Sequence, residues 1–513
     1  MINAPTRRPE AAAAPAIVAG ALYGRRSGPG GAAEKVMGMR MVRVPAERKL
    51  LPIAAASCAA LSVGLAGAVP AVGSLSRVVP ARPAAAGAQL WLSDYNGPGD
   101  GFDIASSVVV SPDGKTAFVT GYSQGSASAQ DYATVAYDTS TGAQRWVSRY
   151  TSTGAKNDEA TALAVSPDGR RVYVTGHTWG SGPDYGTVAY NAATGRQLWV
   201  ARYTGTKAGG IDNALAVKVS PDGRTVFVAG TSEGDFATVA YDASTGALRW
   251  AERYGHGNGS VAGLSVTPDG RTVFVTGQYR SGTYDGFGTV AYNAVTGAQL
   301  WASGYNPPDH GTGIPAAVAV SSDGGTVIVT GRFVGETNAG FQYSTVAYDA
   351  ATGAQRWARN YDAHADAFDW STAVAVSPGG NAVYVTGFST GTTTKQDYAT
   401  VAYQITTGQE LWARRYNGPA SKDDDANAIA VSPDGSTVYV TGFSDSTSVR
   451  SDYATVAYNA ATGALLWASR SHRSGVAYSI AVGPGGHTVF VTGGRNLVRS
   501  GAPNDYVTVA YRT

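Results

Sequence analysis

The chain has 513 residues, with 39 basic and 37 acidic side chains, a net charge of +2 and one cysteine. A single cysteine excludes an intramolecular disulfide, so the fold must be stabilised by its core. The balanced charge, with no basic stripe in the region of repeats described below, argues against nucleic acid as a partner.

The first 86 residues differ from the rest in composition. They hold 11 basic and 3 acidic residues, which leaves 28 basic and 34 acidic residues, a net charge of −6, for residues 87–513. The only cysteine, Cys58, also lies in this first part. We therefore predict a disordered leader over residues 1–86 and a folded region over residues 87–513.

The leader carries the parts of an export signal. Arg43, Arg48 and Lys49 precede an apolar stretch over residues 50–73, and small residues follow at 84–86. This order predicts a signal peptide and a secreted or cell-surface protein. A membrane anchor is the alternative, because the apolar stretch approaches spanning length. Contact with a membrane is predicted only through an uncleaved leader.

The repeat around residues 158–203 shows how one unit folds. Alternating apolar residues at 162–166 and β-branched residues at 172–176 predict two strands. Pro167-Asp168-Gly169 between them predicts a tight turn, because Pro fixes a negative φ and Gly accepts a positive one. Residues 185–190 and a segment centred on Leu198-Trp199 predict a third and a fourth strand. Four short antiparallel strands without helical periodicity are typical of a propeller blade.

The unit recurs eight times. Its core reads Ala-Tyr-Asp-x-x-Thr-Gly-Ala-x-x-Trp, and its tryptophans recur every 51 to 56 residues. They are Trp91, Trp146, Trp199, Trp250, Trp301, Trp357, Trp412 and Trp467. Even spacing predicts one plan for every blade, with each blade packed on the next.

One copy of the unit is divided between the chain ends. Its tail lies at Gly87–Trp91 and its head at Ala510–Thr513. We predict an all-β fold, an eight-bladed β-propeller of four-stranded antiparallel blades. Its ring is closed by pairing an outermost strand at 87–95 with a third strand at 505–511.

The tryptophan-containing unit resembles the tryptophan-docking motif of the quinoprotein (PQQ) dehydrogenase propellers. The Ser-Pro-Asp-Gly turn and Asp-Tyr-Ala-Thr-Val-Ala-Tyr strand also resemble bacterial exported β-propeller repeat proteins. Both resemblances cover residues 87–513. They imply that the eight tryptophans lock adjacent blades. In the dehydrogenases a calcium-bound quinone and a catalytic Asp lie in the channel, whereas the same fold is a non-catalytic scaffold in outer-membrane assembly lipoproteins. No segment of this chain matches the calcium ligands of the dehydrogenases.

Two sets of aspartates recur on one predicted face of the ring. The first precedes the innermost strand and comprises Asp103, Asp158, Asp212, Asp369 and Asp424. The second precedes the third strand and comprises Asp131, Asp184, Asp235, Asp397, Asp452 and Asp505, with Asp285 shifted by one. The first set is a candidate site for a ligand or cation such as calcium at the channel mouth, since close carboxylates bind hard cations and raise one another's pKa. The alternative is structural, with each Asp accepting bonds from loop N–H groups.

The remaining candidates are aromatic. Trp179, Trp370, Tyr279 and Phe333 lie in or near the predicted loops of the same face, where they can stack on sugars, grip a partner or cover a blade edge. The histidines show no zinc spacing, and no catalytic set is recognisable, so no catalytic residue and no metal site are assigned.

These patterns favour an exported, monomeric, non-catalytic binding scaffold. Its acidic loop face would bind a protein, carbohydrate or small-molecule ligand or a cation. The alternative is a PQQ- or calcium-dependent enzyme, dehydrogenase-like or a hydrolase or lyase, with its site at the channel mouth. No cofactor is predicted for the scaffold, and calcium or PQQ belongs to the alternative.

Overall fold

A computed structural model describes most of the region of repeats. The described residues are 84–126, 129–153, 156–180, 182–207, 209–255, 259–281, 284–306, 311–334, 341–362, 368–392, 394–447, 450–495 and 504–513. The predicted export signal and its apolar stretch lie outside them. Within these ranges there is no helix with the length and hydropathy of a membrane span.

The described residues form β-strands joined by turns and loops. The strands of the first half are β1 Gln89–Tyr95, β2 Asp103–Val110, β3 Thr116–Gln124, β4 Gln130–Asp138, β5 Gln144–Tyr150, β6 Glu159–Val165, β7 Arg171–Trp179, β8 Pro183–Asn191, β9 Gln197–Tyr203, β10 Asp212–Val219, β11 Thr225–Ser232, β12 Asp235–Asp242, β13 Leu248–Tyr254, β14 Ser260–Val266, β15 Thr272–Ser281, β16 Tyr284–Asn293 and β17 Gln299–Tyr305. Those of the second half are β18 Thr312–Val320, β19 Thr326–Val334, β20 Phe341–Asp349, β21 Gln355–Tyr361, β22 Asp369–Val376, β23 Ala382–Thr390, β24 Gln396–Gln404, β25 Glu410–Tyr416, β26 Asp424–Val431, β27 Thr437–Thr447, β28 Arg450–Asn459, β29 Leu465–Val482, β30 Thr488–Arg495 and β31 Tyr506–Arg512.

The strands make eight blades of an all-β propeller, as predicted. Blades 1 to 6 are the four-stranded sheets β2–β5, β6–β9, β10–β13, β14–β17, β18–β21 and β22–β25. The last sheet has the order β1-β31-β30-β29-β28-β27-β26 and holds two blades, because β29 is continuous. Its first part is the outermost strand of blade 7, and its second part is the innermost strand of blade 8.

The hairpin between the first and second strands is made by a Ser-Pro-Asp-Gly turn in blades 1, 2, 3 and 7 and by a related four-residue turn in the other blades. In blade 2 the Ser166 hydroxyl donates to the Asp168 carboxylate at 2.5 Å and accepts from the Arg171 amide at 2.9 Å. Gly169 takes a φ of +70°, which L side chains rarely adopt. Local hydrogen bonds and one glycine thus fix the register of the two inner strands.

The tryptophans contact the blade that follows their own. In blades 1 to 6 each indole N–H donates to a carbonyl in the next blade, for example from Trp146 to Ala192 at 2.9 Å and from Trp412 to Ala460 at 2.9 Å. Each indole also covers a turn glycine, and a Cβ at Gly463 would lie 2.6 Å from Trp412 Cδ2. In blade 7, Trp467 lies against Gly87 and Tyr511 in the same way.

Buried tyrosines of the third strand make a second contact between blades. Each hydroxyl donates to a backbone carbonyl on the third strand of the next blade. The bonds run from Tyr132 to Gly186 (3.1 Å), Tyr185 to Ala237 (3.2 Å), Tyr343 to Ala399 (3.1 Å), Tyr398 to Ala454 (3.1 Å), Tyr453 to Val507 (3.4 Å) and Tyr506 to Ala133 (3.2 Å). Blades 3 and 4 have Phe236 and Phe287 in this place.

The ring is closed by the chain ends. β1 pairs antiparallel with β31, with Trp91 beside Ala510 and Tyr95 beside Tyr506. Across the seam, the Val108 amide of blade 1 donates to the Ser479 hydroxyl of blade 8 at 2.9 Å. The prediction of closure is confirmed, with β1 starting two residues later and β31 one residue later than predicted.

Candidate functional site

One face of the ring carries the loops that enter the innermost strands and the loops that join second and third strands. In blade 1, Asp103 at the start of β2 pairs with Ser123 at the end of β3, which pairs in turn with Asp131 at the start of β4. Arg149, near the end of β5, completes this edge. We call this surface the loop face.

These four side chains form a connected polar group in blade 1. The Arg149 guanidinium donates to the Ser123 hydroxyl at 2.6 Å, to the Ser123 carbonyl at 2.8 Å and to the Asp131 carboxylate at 2.9 Å. Ser123 also hydrogen-bonds Asp103. The set consists of an Asp of the inner strand, a Ser or Thr of the second strand, an Asp of the third strand and an Arg of the outer strand. We call it the polar latch, because it links all four strands.

The inner aspartate of the latch holds the loop that enters the blade. Asp103 is fully buried, and its carboxylate accepts from the Gly97 amide at 2.7 Å and the Gln124 amide at 2.9 Å. Burial raises the pKa of Asp103, while these bonds, the Ser123 hydroxyl and the charge of Arg149 lower it.

The other inner aspartates are fully buried too. Asp158 accepts from the Ser152 amide and hydroxyl at 2.6 and 2.7 Å and from the Trp179 amide at 3.0 Å. Asp212 accepts from Gly205, and Asp424 from Gly418, at 2.7 and 2.6 Å. Asp369 takes the same position at the start of β22. Among the described residues no three carboxylates, imidazoles or thiols lie close enough to hold a metal ion.

The second set of aspartates is paired with arginines of the outer strands. The distances are 3.1 Å for Asp184–Arg202, 3.1 Å for Asp235–Arg253, 2.8 Å for Asp397–Arg415 and 3.4 Å for Asp452–Arg470. Asp505 is 3.4 Å from Arg495, a residue of the second strand. Members of both predicted sets of aspartate thus make contacts within their own blades, which supports the structural alternative.

The uneven distribution of the inner aspartates follows the polar latch. Blades 1, 2, 3, 6 and 7 hold all four members, namely Asp103, Ser123, Asp131 and Arg149; Asp158, Thr178, Asp184 and Arg202; Asp212, Ser232, Asp235 and Arg253; Asp369, Ser389, Asp397 and Arg415; and Asp424, Ser444, Asp452 and Arg470. At the same four positions blade 4 holds Gly259, Tyr279, Gly286 and Gly304; blade 5 holds Gly313, Phe333, Gln342 and Asn360; and blade 8 holds Gly475, Arg495, Asp505 and Asp94. An inner Asp occurs only where the outer strand supplies an Arg, so a blade-by-blade structural need explains the gaps.

Sterics reinforce this pattern in blade 5. A Cβ at Gly313 would lie 2.3 Å from the ring of Phe333. The aromatic ring therefore fills the place that the inner carboxylate takes in the latched blades. Phe333 also stacks on Phe287 of blade 4 at 4.7 Å, so it covers the edge between two blades.

Blade 7 concentrates the acidic groups of the loop face. Burial raises the pKa of Asp424 to about 6, and hydrogen bonds from Ser444 and Gly418 oppose the shift. Burial and the charges of Asp423, Asp424 and Asp445 raise the pKa of Asp425 to about 7. Asp425 is thus a carboxyl that titrates near neutral pH.

The blades differ most at the residue after the inner Asp or Gly. This position, which precedes the channel-facing part of the innermost strand, holds Ile104, Glu159, Asn213, Ser260, Ile314, Trp370, Asp425 and Val476. At the opposite end of the same strands every blade ends in a half-buried valine, namely Val110, Val165, Val219, Val266, Val320, Val376, Val431 and Val482. The valine end is uniform, whereas the loop-face end differs from blade to blade.

One titratable group at this mouth was missed by the sequence analysis. Glu159 pairs across the inner strands with His177, and burial, followed by the charge of Glu159, raises the pKa of Tyr122 in blade 1. Burial lowers the pKa of His177, whereas Glu159 raises it. A comparison of the repeats position by position would have found Glu159, because only in blade 2 does an acidic residue after the inner Asp or Gly face a histidine of the second strand.

The loop-face aromatics of the sequence analysis have defined partners. Lys156 lies over the ring of Trp179 at 4.8 Å, and the Arg332 guanidinium lies 3.0 Å from the ring centre of Trp370. Tyr279 packs on Tyr254 of blade 3 at 5.5 Å. These contacts join neighbouring blades or strands and leave parts of both tryptophan rings exposed.

Comparison with known proteins places the fold in a family. Residues 76–279, 212–452 and 342–495 match the profile of the family described as outer membrane protein assembly factor BamB. The chain belongs to this family. It is a PQQ-type β-propeller, as its tryptophan-containing units suggest. No curated protein matches the sequence significantly.

Solved propellers match the BamB-type ring at low identity. Sqt1 from Chaetomium thermophilum, bound to the N-terminus of ribosomal protein L10, is 15% identical with a TM-score of 0.57, and the match covers 82% of this chain and 98% of that one. The quinohemoprotein alcohol dehydrogenase ADHIIG from Pseudomonas putida HK5 is 14% identical with a TM-score of 0.52, and the match covers 82% of this chain and 76% of that one. BamB from Moraxella catarrhalis is 16% identical with a TM-score of 0.45, and the match covers 83% of this chain and 99% of that one. These likenesses show the fold alone.

The residues at the channel mouth do not fit a calcium-bound quinone. A calcium ion takes six to eight oxygen ligands, whereas the inner carboxylates accept hydrogen bonds from their own loops. The two half-buried acids at the mouth, Glu159 and Asp425, lie in blades 2 and 7, and the same position holds Asn213, Ser260, Trp370 and the apolar Ile104, Ile314 and Val476 in the other blades.

Proposed function

We propose that this BamB-family propeller is an exported, non-catalytic scaffold that binds a protein partner with its loop face. One observation carries the proposal. Phe102, Ile211 and Phe368 each stand directly before an inner aspartate, in blades 1, 3 and 6, and are 60%, 53% and 51% exposed. Three large apolar side chains at one repeat position on one face form the type of surface that protein interfaces use.

A pre-ordered aromatic cluster adjoins one of these anchors. Phe368 packs on Phe341 at 5.5 Å, and Phe341 stacks on Trp370 at 6.4 Å. Arg332 is buried beneath Trp370. Tryptophan, phenylalanine and arginine held by packing bind with little loss of side-chain entropy, so clusters of this composition are frequent binding hot spots.

The acidic groups have a lesser part in this proposal than the sequence suggested. The aspartates before the innermost and third strands make contacts within the polar latches, so recognition would depend on the apolar anchors and on the varied residues around the mouth. The matched family is named as an assembly factor, and the structurally similar Sqt1 is bound to a protein segment. Both support a binding role. Export is proposed from the basic residues and apolar stretch at 43–73.

Site-specific photocrosslinking in the cells that produce the protein tests the proposal. A photoreactive phenylalanine analogue at Phe102, Ile211 or Phe368 is expected to give one discrete protein adduct. Matched controls carry the analogue at Leu300, Leu411 or Leu466, which are similarly exposed, at 51%, 48% and 51%, but lie on the outermost strands. The same adduct from both sets, or none from the loop face, would contradict the proposal.

A further inference from the structure

Blade 4 contains an open pocket on its outer three strands. The pocket has a volume of about 260 Å³ and is lined by Tyr279, Gly286, Phe287, Gly304, Tyr305 and Asn306. Tyr279 comes from β15, Phe287 from β16 and Tyr305 from the end of β17. Sites for drug-sized ligands usually measure about 300–1,000 Å³, so this one suits a single ring.

The pocket exists because blade 4 lacks every member of the polar latch. Gly304 stands where blade 1 has Arg149, and Gly286 stands where it has Asp131. A Cβ at Gly304 would meet nothing nearer than the Phe287 carbonyl oxygen at 3.9 Å. In blades 1, 3, 6 and 7 an arginine side chain crosses this space and hydrogen-bonds the second strand, so blade 4 leaves open a space that those blades fill.

Aromatic rings form the walls of the pocket, and packing holds them in place. Phe287 and Tyr305 lie 6.0 Å apart, and Phe333 of blade 5 packs on both, at 4.7 and 5.4 Å. On the other side Tyr279 packs on Tyr254 of blade 3. Rings fixed from behind can stack on a ligand without losing side-chain freedom on binding.

The polar groups of the pocket are uncharged. Asn306 is exposed, and its side-chain oxygen lies over Gly286, where a Cβ would be 1.9 Å away. An amide supplies both donors and an acceptor. Among the described residues the charges nearest the pocket are paired with each other, since Arg280 lies 3.9 Å from Asp285, which also accepts from Gln278 at 3.3 Å. The site therefore favours a neutral ligand with an apolar face and hydroxyl groups.

We propose that this pocket binds one neutral sugar ring of a carbohydrate. The flat C–H face of a pyranose would stack on the half-buried rings of Tyr279 and Tyr305, and its hydroxyl groups would bond the exposed amide of Asn306. The pocket shares no residue with the anchors Phe102, Ile211 and Phe368, so it stands independently of the proposed protein-binding function.

The decisive variant is Gly304→Arg, which restores the residue of five other blades. The arginine has room at its Cβ and should fill the pocket while leaving the melting temperature close to that of the wild type. Asn360→Arg is the matched control, because it adds the same side chain at the same position of blade 5, where no pocket lining is touched. A second variant, Tyr279→Ser, replaces one wall by the residue of blade 1.

Saturation-transfer NMR and calorimetry with chitohexaose, cellohexaose and maltohexaose provide the readout. At least one of these oligosaccharides is expected to bind the wild type. Gly304→Arg and Tyr279→Ser should weaken it by about tenfold or more, and Asn360→Arg by less than about twofold. Absence of binding for all three, or equal binding by Gly304→Arg, would overturn the proposal. The proposal would also be overturned if N-acetyltyrosine amide alone bound and the two pocket variants weakened that binding equally, since the pocket would then be a site for an aromatic side chain.

Discussion

Deletion of residues 505–513 is expected to abolish cooperative folding of the ring. The deletion removes β31, whose Tyr506, Val507, Val509, Ala510 and Tyr511 are almost fully buried. It also detaches β1, which pairs with no other strand among the described residues. Burial of one large apolar side chain is worth about 1.5–3 kcal/mol, and whole domains are stable by only about 5–15 kcal/mol. The free energy lost with this central strand therefore exceeds the free energy of unfolding of a whole domain.

Circular dichroism melting of the truncated and full chains measures this effect. A control chain lacking residues 1–83 keeps every described strand and should melt as the full chain does. If the chain lacking 505–513 melted at the temperature of the full chain, closure of the ring by the two ends would be wrong.

Replacement of Trp412 by alanine is expected to destabilise the contact between blades 6 and 7 strongly. Trp412 is 5% exposed, packs on Tyr384 at 5.8 Å and on Tyr458 of the next blade at 6.1 Å, and donates to the Ala460 carbonyl. Tryptophan-to-alanine changes in a core cost about 3–5 kcal/mol, because they remove contacts and leave a cavity. The loss should appear in urea unfolding as a lower midpoint.

The adjacent Leu411→Ala is the control for Trp412→Ala. Leu411 is 48% exposed on the same strand, so its truncation should change the free energy of unfolding by less than about 0.5 kcal/mol. A loss below about 1 kcal/mol for Trp412→Ala would show that the indole contributes little to the contact between blades 6 and 7.

The sequence predicted the blades because each blade is built from local signals. The Ser-Pro-Asp-Gly turn makes its own hydrogen bonds, and Val-Tyr-Val segments pair with their nearest neighbours in the chain. The even spacing of Trp146, Trp199 and the later tryptophans then predicted a repeating contact, and the divided repeat predicted closure.

The polar latch was harder to predict, because its members are far apart in sequence. Asp103 and Arg149 are brought together only by the register of four strands, so neither residue indicates the other. The signal was present in the joint occurrence of Asp, Ser or Thr, Asp and Arg in five repeats. The pocket at Gly304 was invisible for a related reason, since a glycine near a strand end indicates a cavity only when other blades show what is missing.

We infer that the recurring aspartates hold the blades together and that recognition belongs to the residues in which the blades differ. Melting of the protein in calcium-free buffer and in millimolar calcium decides whether the aspartates bind a cation instead, because a bound ligand stabilises the folded state in proportion to the logarithm of its concentration over Kd. We expect no change in melting temperature. A rise of several degrees that Asp158→Asn and Asp424→Asn abolish would contradict the claim and make the inner aspartates a cation site.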